Sequence, residues 1–388
     1  MSRAFGEGFL VGRMSRDIAF GRIPIEEIDG LFGWSDINEL LARGSVAPAE
    51  LRMWKDGAEL PDHAFTTVRR GHRVIDQARV VGLMRQGHSL IVDGVDQVHP
   101  GLRAATDDVT RFVGAFASCN LFAAAGRTGN VTRHFDDYDI LVLQLIGRKR
   151  WSLFAPTVPD PLPGIDTAGT ADAGDCPSEP VEDRVLEPGS VLHVPRGWWH
   201  RVEPADELSV HLTFPISQRT GYDWLRWVLS RTLADASVRA NLDRWGSGDD
   251  QRAQAERLAD VFLAEASKAS LADFFDDERR QAHGREATSL PWEVAPLRPP
   301  PSTRIEPVHL AAPVVETDGA GDGERLRIAT AGQTFSLSSD HLALVTTLLE
   351  SRGLTIQELA DRAGSDVETA TSLTLALLKL RLVRTVDR

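Results

Sequence analysis

Short apolar runs separated by Gly, Pro and Asp dominate the chain up to about residue 216. The clearest lie at 89–92, 121–125, 140–146, 151–154, 191–194 and 208–214. Runs of this length bounded by turn formers predict strands. Their succession, with few long helical patterns between them, predicts a sandwich or a barrel. Residues 25–31, 37–42 and 76–85 read instead as short helices near the N-terminus.

After residue 220 the period lengthens. Trp224, Leu225, Val228, Leu229 and Leu233 recur at helical spacing, as do Leu258, Val261, Phe262 and Ala266, which predicts a small helical bundle. Such apolar stripes serve either as plain core or as a dimerisation surface. Seven prolines between 291 and 313, then Gly319, Gly321 and Gly323, read as a linker. Beyond it, 326–328 and 334–337 predict paired strands. Leu342, Val345, Leu348 and Leu349 mark a helix closed by Gly353. Thr355 with Glu358, and Ser365 with Glu368, have the spacing of capping boxes for two further helices, and 382–386 predicts a final strand. Three short helices with strands is the winged-helix pattern. The segment 157–183, rich in Pro, Gly and Asp, predicts a long loop that is either a functional lid or disordered.

Composition narrows the function classes. Acidic residues outnumber basic ones 56 to 43, a net charge of −13, which argues against a general nucleic-acid binder. A winged helix usually suggests DNA, yet residues 336–388 carry six basic and seven acidic side chains. The third helix opens with Asp366 and Glu368 and has no base before Lys379, so its leading end would repel phosphates. Two cysteines, Cys119 and Cys176, cannot build a disulfide framework or a zinc cluster of the CxxC type. The longest apolar stretch is too short to span a membrane. Glu7 and Asp17 interrupt any signal-peptide layout, so a cytoplasmic protein is expected.

The chemistry-bearing stretch is His134-Phe135-Asp136, followed by a strand and Gly147-Arg148-Lys149-Arg150-Trp151. On a strand, residues two apart share a face, so His134 and Asp136 offer an imidazole and a carboxylate to one point. A third ligand must come from elsewhere, and His200 is the best candidate. It follows the turn Pro195-Arg196-Gly197, at the start of a returning strand. Two histidines and one carboxylate leave three positions of an octahedral ion open, the facial triad of non-haem iron(II) oxygenases. Lys149 lies fifteen residues beyond His134 and, if buried, would bind the far carboxylate of a dicarboxylate co-substrate. Each element has a plainer reading: HxD tripeptides occur by chance, and Arg148, Lys149 and Arg150 could be a solvated basic turn. The combination is more specific than its parts.

The run from His134 to Trp151 resembles the signature of the JmjC-type cupin oxygenases, and within them the ribosomal oxygenases. The segments from Pro188 to His200 and from Leu208 to Phe214 resemble that family too. The resemblance implies an α+β chain. A double-stranded β-helix (cupin or jelly roll) at 1–215 would be followed by a helical region at 216–290, a candidate for dimerisation. A linker at 291–323 and a winged helix at 324–388 would complete it. It implies that His134, Asp136 and His200 hold Fe(II), and that Lys149 pairs with the C5 carboxylate of 2-oxoglutarate, with O2 as the second co-substrate. The implied activity is hydroxylation of a protein or peptide side chain, an arginine or histidine of a basic ribosomal protein being the specific expectation. A homodimer and no binding to DNA or membrane complete the picture. A natural-product or modified-peptide hydroxylase is the nearest alternative; a non-catalytic metal-binding cupin holding a partner is another.

The residues preceding His134, Asn130 to Arg133, depart from the small and proline residues expected there, so Arg133 bears on which substrate approaches. Asn120 and Ser209 are candidate co-substrate contacts, each equally readable as a structural strand residue. His193 and His211 read as structural, Trp198 and Trp199 as packing near the third ligand. Tyr138 and Asp139 read as candidate substrate contacts.

Overall fold

The computed structural model describes the chain except residues 1, 7, 45, 127–130, 163–174, 207, 283–287, 295–296, 309–313, 319–324, 331–332, 352 and 387–388. It forms two units, Met1–Gln218 and Arg219–Arg388. Among the described residues, no helix is long and apolar enough to cross a membrane.

The first unit begins with strands β1 (Ala19–Arg22), β2 (Leu51–Lys55), β3 (Ala58–Glu59), β4 (Thr66–Arg69) and β5 (His72–Ile75). There follow β6 (Ser89–Val92), β7 (Phe116–Ala117), β8 (Asn120–Ala125), β9 (Val131–His134) and β10 (Asp139–Ile146). It closes with β11 (Lys149–Phe154), β12 (Glu182–Leu186), β13 (Ser190–Val194), β14 (Trp199–Pro204) and β15 (Leu208–Ser217). The larger sheet has the order β1-β13-β10-β15-β8-β6-β2-β3, with β7 beside β15; the smaller is β12-β11-β14-β9. Ile140, Val142, Leu192 and Val194 of the larger sheet pack against Trp151, Leu153 and Leu186 of the smaller. This is the expected double-stranded β-helix.

The run at 140–146 is continuously apolar because both faces of β10 are covered. Leu141, Leu143 and Leu145 face the outer core, where they join Leu40, Val80, Leu102 and Val109 of flanking helices. The helix Gln77–Arg85 starts where the sequence placed it, with Asp76 accepting from the N–H groups of Ala78 and Arg79. The other two early helices are Ile25–Ile28 and Trp34–Arg43. Helix Pro100–Val113 was not expected. Its buried side includes Thr106, Asp107 and Thr110, which an apolar-period search does not register.

Gly147, between β10 and β11, has φ +60° and its missing Cβ would lie 1.9 Å from the Leu208 carbonyl oxygen. A side chain there meets both a left-handed backbone and main-chain atoms. Gly147→Ala is expected to cost about 3 kcal/mol and to lower the calorimetric melting midpoint by roughly 6–12 °C. An unchanged midpoint would contradict the close approach.

In the second unit, helices occupy Gly221–Arg231, Ala236–Arg239, Gly248–Ala266 and Leu271–Gln281. No residue of Gly248–Ala266 is buried. Strands β16 (Arg304–Pro307), β17 (Val314–Asp318), β18 (Arg325–Thr330), β19 (Gln333–Ser338), β20 (Leu354–Thr355) and β21 (Val383–Thr385) follow. They form two sheets, β20-β16-β21 and β17-β18-β19. Helices Leu342–Leu349, Ile356–Ala363 and Val367–Lys379 share one core with Ile305, Leu326 and Val383.

Several expectations need correction here. The stretch 291–323 is not linker throughout, since it contains β16 and β17. Ile305 is fully buried, and Pro307 lies past the two positions that pair with β20, so its missing N–H leaves no gap in that ladder. The last helix is capped by Asp366, which accepts from Thr369 N–H, rather than by Ser365. The helix before Gly353 already ends at Leu349. The Thr355–Glu358 capping box is present. Residues 163–174 of the loop expected at 157–183 lie outside the described residues, and its C-terminal end already belongs to β12.

Candidate metal centre

Strand β9 ends at His134, directly opposite His200 in its pairing with β14. Directly opposed residues of an antiparallel ladder project to the same face, so both imidazoles enter the space between the sheets. Their ring centroids are 4.2 Å apart. Asp136 is not on the strand, contrary to the reasoning from alternation. The strand stops at His134, Phe135 is buried against Trp199 and Phe154, and Asp136 lies in the irregular link that bends at 137–138 before β10. Its carboxylate is nevertheless 4.0 Å from His134 Nε2 and 3.7 Å from His200 Nε2. The three candidate donor atoms all lie within 4.8 Å of one another.

Main-chain bonds lock the two ligand-bearing segments together. Gly197 N–H donates to the Asp136 carbonyl at 2.8 Å, and Arg196 N–H donates to Asp139 Oδ1 at 2.9 Å. Asp139 is fully buried, so it is no substrate contact: the carboxylate is turned into the fold. Tyr138, by contrast, lines the cavity.

The charge states suit a divalent ion. Burial, reinforced by the neighbouring His134, pushes His200 well below the ordinary histidine range, which keeps it neutral. Its Nδ1 contacts the Trp198 carbonyl oxygen at 3.2 Å; donation there leaves the Nε2 lone pair facing Asp136. Burial raises the Asp136 carboxyl, while His134 opposes the rise. A cation between these groups would relieve the desolvated carboxylate. Two imidazole nitrogens and one carboxylate oxygen thus fit a first-row divalent metal with open positions.

The donors open into a cavity of about 770 Å³ that also takes in Lys149, Asn120 and His211. Lys149 and Trp151, two apart on β11, both point inward. The Trp151 ring lies 5.8 Å from His200 and 5.6 Å from His211, between the donor triad and the lysine. Lys149 Nζ donates to the Phe122 carbonyl at 3.2 Å and lies 2.8 Å from His211 Nδ1. Burial lowers this amine to about 7. Burial, with Lys149 as the next cause, also lowers His211 well below its usual range, so the neutral ring can accept through Nδ1.

Asn120 lines the cavity, and its Oδ1 accepts from Gly94 N–H at 3.0 Å. Ser209 shares one face of β15 with His211 and Thr213 but is not part of the cavity lining; it is fully buried, and its hydroxyl has no hydrogen-bond partner among the described residues. His193 is turned away from the donors. Its Nδ1 contacts the Asp17 carbonyl at 3.0 Å and its ring packs edge-on against Phe9. Trp199 anchors the rim through Nε1 to Thr157 Oγ1 at 2.9 Å, and Trp198 packs on the inner cluster. Arg133 stacks over Phe154 at 4.6 Å and donates to the Pro177 carbonyl at 3.5 Å. Its neighbour Asn130 lies outside the described residues.

The far wall was not anticipated. Arg52 and Trp54 of β2, with Ser89 and Ile91 of β6, complete the lining. Arg52 is held by Asp93 at 2.9 Å. Strand β2 has mixed polar and apolar residues, and nothing in its sequence ties it to a motif some eighty residues later.

A double-stranded β-helix with two histidines and one carboxylate converging at its open end defines a cupin with a candidate metal centre. Residues 97–223 match the JmjC domain, so this chain carries that domain. It is similar to ribosomal oxygenase 1 of Rattus norvegicus, 33% identical over 217 residues, which are 55% of this chain and 35% of that protein. It is also similar to the bifunctional lysine-specific demethylase and histidyl-hydroxylase NO66 of Drosophila willistoni, 31% identical over 144 residues, 37% of this chain and 19% of that one. The matched region thus spans about a third or less of these relatives. Among solved structures, the Escherichia coli ribosomal oxygenase YcfD in complex with cobalt and 2-oxoglutarate shares the fold. Its TM-score is 0.56 at 14% identity, with 99% of both chains covered.

Proposed function

We propose that the chain is an iron(II)- and 2-oxoglutarate-dependent oxygenase that hydroxylates a side chain of a protein or peptide. One juxtaposition carries this: a single cavity holds the two-imidazole, one-carboxylate set and, beyond Trp151, the buried amine of Lys149. A metal-binding module without a dicarboxylate co-substrate has no need of a desolvated lysine there, because burying an amine without a counter-charge is costly.

In this reading His134, Asp136 and His200 hold the iron. Once bound with 2-oxoglutarate and O2, the iron supplies the oxidising power that places one oxygen atom into a substrate C–H bond while the co-substrate becomes succinate and carbon dioxide. The protein's residues position and shield. Lys149 donates to the far carboxylate of 2-oxoglutarate, and His211 and the Phe122 carbonyl aim the ammonium. Asn120 lines the same space, whereas Ser209, outside the cavity lining, is read as a structural residue of β15. Phe122 and Trp151 form an apolar wall that keeps water from the co-substrate.

The relatives named as ribosomal oxygenase and histidyl-hydroxylase support an arginine or histidine of a ribosomal protein as substrate, and a net charge of −13 favours approach of a basic polypeptide. The catalytic domain we assign is 1–215. The helices from 216 to 290 are assigned to homodimerisation, on the support of the exposed Leu225, Leu229, Leu233 and Leu263. The remainder from β16 onward is assigned as a winged helix that does not bind DNA. Cys119 and Cys176, neither in a disulfide, accord with a cytoplasmic location.

The test is incubation with iron(II), 2-oxoglutarate, O2 and a panel of ribosomal-protein peptides. Succinate release matched by a one-oxygen mass gain on a defined peptide is expected. Succinate no higher than in the enzyme-free control would overturn the proposal.

A further inference from the structure

We infer that Ser15, Asp139 and the Arg196 amide form a positioning relay that sets His200 against His134 and Asp136, making the N-terminal turn part of the support of the metal centre. The inference rests on the triad proposed above.

Asp139 is the first residue of β10, and its side chain is wholly buried. Its two oxygens face two chain segments distant in sequence. Oδ1 accepts from Arg196 N–H at 2.9 Å, and Oδ2 accepts a hydrogen bond from the Ser15 hydroxyl. Neither Asp139 nor Ser15 lines the cavity, so neither can act on a bound molecule directly. What Asp139 holds is the start of the turn that delivers the third ligand. The next amide, Gly197 N–H, donates to the Asp136 carbonyl at 2.8 Å, and His200 follows three residues later. Two consecutive amides therefore fasten the 195–197 turn to the 136–139 segment, one through the main chain and one through the Asp139 carboxylate. A charged acceptor makes the second bond the stronger kind.

Ser15 supplies the other end. It is a non-glycine residue at φ +59°, a left-handed conformation that costs about 1 kcal/mol or more and persists where surrounding structure imposes it. The imposing structure is visible. Arg13 donates to the Ile18 carbonyl at 2.6 Å, and Asp17 N–H donates to the Arg13 carbonyl at 3.0 Å. Ala19 pairs opposite His193 as β1 joins β13. The turn from Arg13 to Ile18 is thus pinned at both ends, and the strain at Ser15 aims its hydroxyl at the buried carboxylate. A carboxylate buried among neutral donors is expensive unless those bonds are kept. The relay ties that cost to correct placement of the 195–197 turn.

The test is a cobalt(II) titration of the full chain, followed by visible absorption at 20 °C, with melting curves recorded in parallel. Asp139→Ala is expected to weaken cobalt binding about tenfold or more in protein that is still folded at that temperature. Asp139→Asn, which keeps an acceptor for Arg196 N–H, should recover most of the loss, and Ser15→Ala should weaken binding about threefold, a fraction of the loss of the whole relay. A purely structural role would lower the melting midpoints and leave cobalt affinity at the wild-type value, which overturns the relay. If Asp139→Ala does not fold, Ser15→Ala decides alone, and wild-type affinity in that variant overturns the relay. His200→Ala is the separate control: if it binds cobalt like wild type, the triad itself is wrong, whatever the relay variants do.

Discussion

Asp136→Ala is expected to abolish metal uptake and 2-oxoglutarate turnover, a loss of at least about 100-fold in each. The carboxylate is the only anionic donor among the three converging groups, and without it two imidazoles alone face a divalent ion. The vacated space would also admit water beside His134 and His200, removing the geometric restriction that leaves three positions together on one side. His134→Ala should be nearly as severe, because His134 and His200 are opposed across one ladder and the remaining pair cannot define a face. Metal content by elemental analysis, after loading and desalting, checks both variants. Unchanged iron content in the two would refute the triad.

Lys149→Ala should behave differently: iron uptake persists, while affinity for 2-oxoglutarate drops by about 100-fold, the scale expected when a buried charge-assisted bond is lost. Wild-type affinity should also depend on pH with a definite sign. Burial holds the Lys149 amine at about 7, against about 10.4 for an exposed lysine. A dicarboxylate needs the charged form, so above pH 7 binding must draw a proton from solvent and weakens by up to about tenfold per pH unit. Below pH 7 the amine is already charged and affinity levels off. Between pH 6.5 and 8.5 the dissociation constant should rise about 20- to 30-fold, with proton uptake measurable by calorimetry in buffers of different ionisation enthalpy. An affinity flat across that range, or equal in Lys149→Met and wild type, would count against the lysine as the anchor.

Much of the barrel could be read from its apolar runs. Strands buried on both faces, such as β10 and β13, announce themselves as near-continuous Val, Leu and Ile. Of the others, β2 was not foreseen, and β9 and β14 were inferred only from the ligands placed on them and not from an apolar run. β2, β9 and β14 mix Arg, Trp, His and Thr with apolar residues, because one side of each meets the cavity or solvent. The ligands His134 and His200 sit on two of these, so the site was found through residue chemistry and spacing rather than through the elements bearing it. That route also explains the error about Asp136. Alternation along a strand predicts a shared face, whereas the irregular link after His134 delivers the same carboxylate by a different path. Asp139 looked like a substrate contact because a buried acid and an exposed one are identical in sequence; only the facing amide of Arg196 and hydroxyl of Ser15 distinguish them. Pro307 shows the converse, a residue that signals a linker and yet ends a strand, tolerated where the neighbouring strand has already stopped.

The pairing of His134 with His200 carries one more consequence. The ladder between β9 and β14 and the amide of Gly197 bring the three donors into reach of one another, so the peptide backbone assembles the socket and the ion need not. Folding therefore offers no checkpoint at which a wrong ion is refused, as it would in a domain that collapses around its metal. Two imidazoles and a carboxylate accept cobalt and nickel as readily as iron, and by intrinsic affinity iron(II) ranks below both. Which ion occupies such a socket in a cell is then decided by supply: an iron-starved cell would fill it with a competitor without unfolding the protein, leaving a well-formed but mismetallated chain.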